Sequence, residues 1–245
     1  MTMETATPGC PLRLDDVAVR LGDHDALHGV TLAVEAGEFV VVTGPNGAGK
    51  STLLEVVAGV RPPTRGQRTV TGEIAFVPQR AAVPPGLPLT VRDVVAVGTW
   101  GRLGAFRRQD RRAGAAVAAA MGRTAVSGLQ RRPFATLSGG QQQRALLAQG
   151  LAVEAGILLV DEPTTALDAE SVRRIRAVLR EEADRGTTVL CVTHDAAVIA
   201  DADREVVLRD GAREPAARRV RALTRSESVA HVEVGERRDL DVARR

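Results

Sequence analysis

At 245 residues, 44% of them hydrophobic, the chain can bury a sizeable core without disulfides or structural metal. No stretch reaches the roughly 18–20 uninterrupted apolar residues of a bilayer span; even 145–160 is broken by Gln149 and Glu154, so the chain is not expected to cross a membrane alone. The net charge is +3, with acids and bases interspersed along most of the length, and it supplies no reason to expect a nucleic-acid partner.

Residues 1–11 read as a flexible start without the basic and apolar regions of a secretory signal, which points to the cytoplasm. The two cysteines, Cys10 and Cys191, are far apart and suit a reducing compartment rather than a metal pair. Val17, Val19 and Leu21 alternate with polar or small residues, as do Val30, Leu32 and Val34, the pattern of half-exposed antiparallel strands. Residues 39–43 (FVVVT) form a buried-strand run that leads into GPNGAGKS and then STLLEVVAGV, giving a strand, a glycine-rich turn and a helix.

Residues 44–51 satisfy GxxxxGK[ST] in full. Gly44, Gly47 and Gly49 let the backbone of Pro45, Asn46 and Ala48 wrap tightly, aiming N–H groups at phosphate oxygens, while the helix that begins near Ser51 and Thr52 adds its positive dipole. Lys50 would contact the outer phosphates and Ser51 would ligate Mg²⁺. Lys50 is also the only lysine among 33 basic residues, which marks a place where a compact ammonium is needed rather than a planar guanidinium.

From about 84 to 140 the pattern changes to proline- and glycine-punctuated helices, with an alanine-rich stretch at 113–121 and arginines at 107, 108, 111 and 112; this reads as an inserted helical subdomain. Residues 157–162 (ILLVDE) end an apolar strand in paired carboxylates. Asp161 would hold Mg²⁺, directly or through water, and Glu162 would polarise the water that attacks the γ-phosphate. Residues 188–192 form another buried strand, and 206–208 with the Asp210-Gly211 turn suggest a closing hairpin. Residues 213–245 are rich in arginine and acids, and are expected to be a poorly packed tail.

Three further segments go beyond a generic phosphate-loop NTPase: LSGGQ at 137–141, Gln79 after IAFVP, and His194 after TTVLCVT. With them the chain resembles the ATP-binding subunits of ABC transporters over residues 12–212. The resemblance implies an α/β fold: a phosphate-loop NTPase core with a parallel sheet, an antiparallel β subdomain and the helical insert. It implies an ATPase using ATP and Mg²⁺ as a homodimer, in which Ser138, Gly139, Gly140 and Gln141 reach the ATP held by the second copy. By the same resemblance Gln79 helps ligate Mg²⁺ and senses the membrane subunit, His194 contacts the γ-phosphate, and Ala166, Leu167 and Asp168 line the dimer interface.

Such a subunit sits on the cytoplasmic face of the membrane beneath a polytopic permease, with a solute-binding protein as an indirect partner. One departure stands out. Leu21 occupies the position where the family usually places an aromatic to stack on adenine, offering apolar contact without π stacking. The insert, with VGTWGRLGAFRR, is similar to the metal-uptake branch, which favours zinc and then manganese as cargo. Iron-siderophore or haem import, and the soluble ABC ATPase of iron–sulfur assembly, are the alternatives. Trp100 and Phe106 either pack the insert's core or grip the membrane subunit.

Overall fold

The computed structural model describes residues 10–81, 87–103, 111–214 and 218–219. The chain opens with an antiparallel hairpin of β1 (Leu12–Leu21) and β2 (His24–Val34). β4 (Arg65–Val70) pairs with the other edge of β1, completing a three-stranded sheet in the order β2-β1-β4. Both strands of the hairpin extend well past the alternating cores that mark them in the sequence.

The second sheet is built on β3 (Phe39–Thr43), β5 (Ile74–Val77), β6 (Ile157–Asp161), β7 (Thr188–Val192) and β8 (Arg204–Arg209). These run parallel in the order β8-β3-β7-β6-β5. At the β8 end, the short antiparallel pieces β9 (Ala212–Arg213) and β10 (Arg218–Arg219) both pair with β8. The expected hairpin at 206–213 is therefore present, and its first strand also joins the parallel sheet.

Period-2 alternation divides the central strands between two cores. Val40, Val42, Ile157, Leu159, Leu190 and Val192 face α1 (Lys50–Ala58) and the three-stranded sheet. Phe39, Val41, Leu158, Val160, Val189 and Cys191 face the other side. That side is covered by α2 (Val91–Val97), α4 (Arg111–Arg123), α5 (Gly139–Ala152), α6 (Ala169–Asp184) and α7 (Ala196–Asp201). Strands covered on both faces need near-continuous apolar runs, which FVVVT, ILLV and TVLCV supply.

Within the insert, α2 contributes Val91, Val94 and Val95 and α4 contributes Val117 and Met121 to the helical core, with the single-turn α3 (Trp100–Leu103) between them. Trp100 is 49% exposed, so it does not fill that core. Phe106, Arg107 and Arg108 lie outside the described residues, as do residues 1–9 and the end of the chain from 220 onward.

Buried charge fastens the β8 edge. Arg204 donates to both oxygens of Glu38 at 2.6 and 2.9 Å and to the Ala33 carbonyl at 2.6 Å. Asp203 accepts from the Phe39 amide at 2.8 Å and from Arg180 at 3.0 Å. Among the described residues no helix is long and apolar enough to cross a membrane.

Candidate functional site

Apart from Ser138 to Gln141, the sequence-marked chemistry follows the carboxyl ends of the parallel strands. β3 ends at Thr43, and the loop that follows takes backbone shapes open mainly to glycine: φ is 141° at Gly44, 83° at Gly47 and 91° at Gly49. Space demands glycine as well. A β-carbon on Gly44 would sit 2.1 Å from the Leu208 carbonyl oxygen, and one on Gly49 would sit 2.4 Å from that of Ala26. The loop is thus clamped between β8 and the β1–β2 hairpin.

α1 starts at Lys50 with Gly49 as its N-cap and no side chain capping its first turn. Its leading N–H groups therefore have no side-chain acceptor, the arrangement that suits an anion. The Lys50 Nζ folds back to donate to the Gly44 and Pro45 carbonyls at 2.8 and 2.9 Å, and Ser51 is exposed beside it. Pro45, Asn46 and Gly47 are exposed, Ala48 is buried beneath them, and Thr52 follows Ser51 in the first turn of α1.

β6 delivers Asp161 and then Glu162. Burial and the neighbouring Glu162 push the Asp161 carboxyl above the usual aspartate value, while the Lys50 ammonium draws it partly back. That pull places Lys50 and Asp161 in one electrostatic site. An oxygen-only set of Ser51 hydroxyl and Asp161 carboxylate, with charge left to offset, fits a small hard cation such as Mg²⁺.

Glu162 has φ of 45°, unusual for a side-chain-bearing residue. Its amide donates to the Val192 carbonyl at 2.9 Å, tying it to the end of β7. There His194 brings Nδ1 to 2.9 Å from Glu162 Oε2; the His194 side chain is 71% exposed and that of Glu162 16%. Thr165 donates to the same Oε2 at 3.1 Å. Nothing in the motif spacing announces Thr165, because its position depends on the turn that Glu162 initiates.

LSGGQ lies at the start of α5. Ser138 is the N-cap and accepts from the Gln141 amide at 3.3 Å, while Gln141 Oε1 accepts from the Ser138 amide at 3.2 Å. This is a reciprocal capping box, the S-x-x-Q arrangement that the sequence contains. Because Ser138 Oγ accepts there, its own hydrogen is free to donate outward.

Gly140 abuts the segment at 166–168: a β-carbon there would lie 2.3 Å from Ser171 Oγ and 2.7 Å from Asp168 Oδ2. Asp168 caps α6 and accepts from the Ser171 amide at 2.8 Å, hydrogen bonds that hold its carboxyl below the ordinary value. A β-carbon on Gly139 would come to 3.8 Å from Leu167, and Ala166, at φ 59°, is exposed between Glu162 and this segment.

Gln79 follows β5 and is exposed. It lines a cleft of about 490 Å³ together with Gly139, Gln142, Glu162, Thr165 and Leu167. Gln143, buried in α5, donates to the Pro78 carbonyl at 3.4 Å and so links the signature helix to the residue before Gln79. The structure brings together Lys50, Ser51, Asp161, Glu162 and His194 at one strand edge, with Gln79 across the cleft. Ser138 to Gln141 lie on the signature helix, packed against Asp168 rather than against the phosphate loop.

Residues 27–165 match the profile of the family described as ABC transporter. The chain belongs to that family. As an ABC ATPase it couples ATP hydrolysis to transmembrane transport. It is 36% identical to the manganese transport system ATP-binding protein MntB of Bacillus subtilis, over 76% of this chain and 77% of that protein. It is 42% identical to the hemin import ATP-binding protein HmuV of Streptomyces coelicolor, over 79% and 72%, and 34% identical to the zinc transport system ATP-binding protein TroB of Treponema pallidum, over 84% and 80%.

Among solved structures, the cassette superposes on an inward-facing ABC transporter described as of metal-chelate type, with a TM-score of 0.79 and 28% identity over 89% of this chain and 86% of that one. A dimeric ATP-binding cassette in a post-hydrolysis state with ADP and phosphate gives a TM-score of 0.77 at 28% identity, covering 86% of this chain and 99% of that one.

Proposed function

We propose that this ABC ATPase works as a homodimer on the cytoplasmic face of the membrane, energising import of a transition-metal ion, zinc or manganese, through a separate polytopic permease supplied by a solute-binding protein. The observation that carries the catalytic part is the Glu162 carboxylate, held 2.9 Å from His194 and next to Asp161, whose own carboxyl feels the Lys50 ammonium.

In this reading residues 44–52 wrap the triphosphate, and Lys50 leaves the Gly44 and Pro45 carbonyls to meet the outer phosphates. Ser51 and Asp161, with Gln79 from across the cleft, hold Mg²⁺, which when bound offsets charge on the outer phosphates. Glu162 polarises the attacking water, and His194 steadies the carboxylate and meets the γ-phosphate. Ser138, Gly139, Gly140 and Gln141 complete the site of the second copy, and Ala166, Leu167 and Asp168 line the seam between the two. The catalytic domain takes in residues 12–212 with the insert at about 84–140, and beyond 212 the chain is basic, with Arg213 and Arg218–Arg219 still paired with β8.

Support for the cargo class comes from relatives named for manganese and for zinc transport. Zinc, favoured by the insert's sequence, is the first cation to test. A second reading, haem import, rests on the 42% identity to the hemin protein.

The catalytic assignment is tested by Glu162→Gln, which should keep ATP binding, lose nearly all turnover and accumulate as an ATP-bound dimer; normal hydrolysis would remove Glu162 as the base. Cargo is tested by metal and haem accumulation in cells lacking the gene. A zinc deficit supports the first arm, a manganese deficit the second and a haem deficit the alternative. Copurification with a soluble iron–sulfur scaffold rather than a polytopic membrane protein would overturn transport altogether.

A further inference from the structure

Glu162 Oε2 is engaged twice, by the Thr165 hydroxyl at 3.1 Å and by His194 Nδ1 at 2.9 Å. Among the described residues no group donates to Oε1. The carboxylate is thus anchored through one oxygen and leaves the other to the site. The chain reaches this arrangement by a local device. Glu162 takes φ of 45°, Pro163 follows it with its own φ restricted, and the turn brings Thr165 back over the carboxylate three residues upstream. A left-handed residue with a side chain persists only where its surroundings over-determine it, and such residues cluster at sites of chemistry. Thr165 itself is exposed and packs into neither core, so its hydroxyl has no structural duty beyond this bond.

We propose that Thr165 is a positioning residue for the reaction: its hydroxyl fixes Glu162 Oε2 so that Oε1 faces the water the carboxylate polarises. It touches neither substrate nor metal and acts through Glu162 alone. The inference rests on Glu162 being the base. His194 does not replace the hydroxyl: it lies 2.9 Å from the same oxygen as an ion-pair contact, whereas Thr165 donates the hydrogen bond that fixes the carboxylate's rotation.

The test uses the full chain and compares Thr165→Val, which keeps the shape and removes the donor, with Thr165→Ser, which keeps the donor. Four quantities are read: kcat, KM for ATP, the ATP dissociation constant by calorimetry, and the ATP-dependent dimer by size exclusion. Losing one hydrogen bond to a charged group predicts a fall in kcat of about tenfold in Thr165→Val. KM and the dissociation constant should stay within about twofold, because the loss is confined to the transition state.

The slowed Thr165→Val enzyme should accumulate the ATP-bound dimer, as Glu162→Gln does, and Thr165→Ser should recover most of the rate. The proposal is overturned if Thr165→Val turns over normally, if the serine variant is as slow as the valine one, or if rate, affinity and dimer are lost together, the sign of an interface role. A Glu162→Gln enzyme with normal turnover would instead defeat the underlying assignment, whatever the Thr165 variants do.

Discussion

Two glycines of the phosphate loop share a backbone conformation and differ in what surrounds them, so the pair separates strain from steric overlap. Gly47 has φ of 83° and Gly49 φ of 91°. A methyl group on Gly47 would meet nothing within 4 Å, whereas one on Gly49 would lie 2.4 Å from the Ala26 carbonyl oxygen and 2.8 Å from a Leu27 methyl. In both variants alanine is forced into the left-handed region at about 1–2 kcal/mol. Both also gain the same small amount from a stiffer unfolded chain, which cancels in the difference.

Gly49→Ala adds the cost of overpacking against backbone, about 1–3 kcal/mol. At about 2–4 °C per kcal/mol for a chain of this size, Gly49→Ala should melt roughly 6 °C below Gly47→Ala, taking the middle of that range. Calorimetric scans of the two purified variants measure this directly. Relief of the overlap also pushes the loop from the hairpin, so ATP affinity should fall further in Gly49→Ala. Melting temperatures within about 1 °C of each other would refute the argument that the hairpin clamps the loop.

Lys50→Ala should lose most ATP affinity in calorimetry, and full binding without the ammonium would remove its role. Asp161 carries a pH signature: its carboxyl is raised above 3.8 in the fold, so between 3.8 and the raised value the folded chain keeps a proton the unfolded chain has released. Stability from this group therefore falls as pH rises through that window, and Asp161→Asn should melt above the wild type near neutral pH and level with it well below 3.8. Arg204→Ala strands a Glu38 carboxylate whose side chain is only 9% exposed, and should cost about 3 kcal/mol in denaturant unfolding. A cost below about 1 kcal/mol would show that water reaches Glu38 once the guanidinium is gone.

The central sheet was legible because strands buried on both faces must be largely apolar, and 39–42, 157–160 and 189–192 are. The phosphate loop was legible because it needs particular residues at fixed offsets; the capping box at Ser138 and Gln141 emerged from the structure. β4 was not. Its sequence, RGQRTV, is polar and mostly exposed, and it is a strand only because β1 offers an unpaired edge, with Gly66 at φ 86° passing against Asp15 and Asp16. Thr165 escaped notice for a related reason. Its partner is set by the left-handed turn at Glu162, and no local preference of a glutamate encodes that conformation. The Gln143 bond to Pro78 joins residues 65 apart, beyond any periodicity.

The seam at Gly140 bears on how two copies would close. A side chain there would strike Asp168 and Ser171, so the front of α5 and the cap of α6 sit flush and cannot slide independently. The stretch proposed to reach the neighbour's nucleotide and the stretch proposed to face its backbone would then travel as one block. Closure of the proposed dimer would then be a single engagement rather than two successive ones.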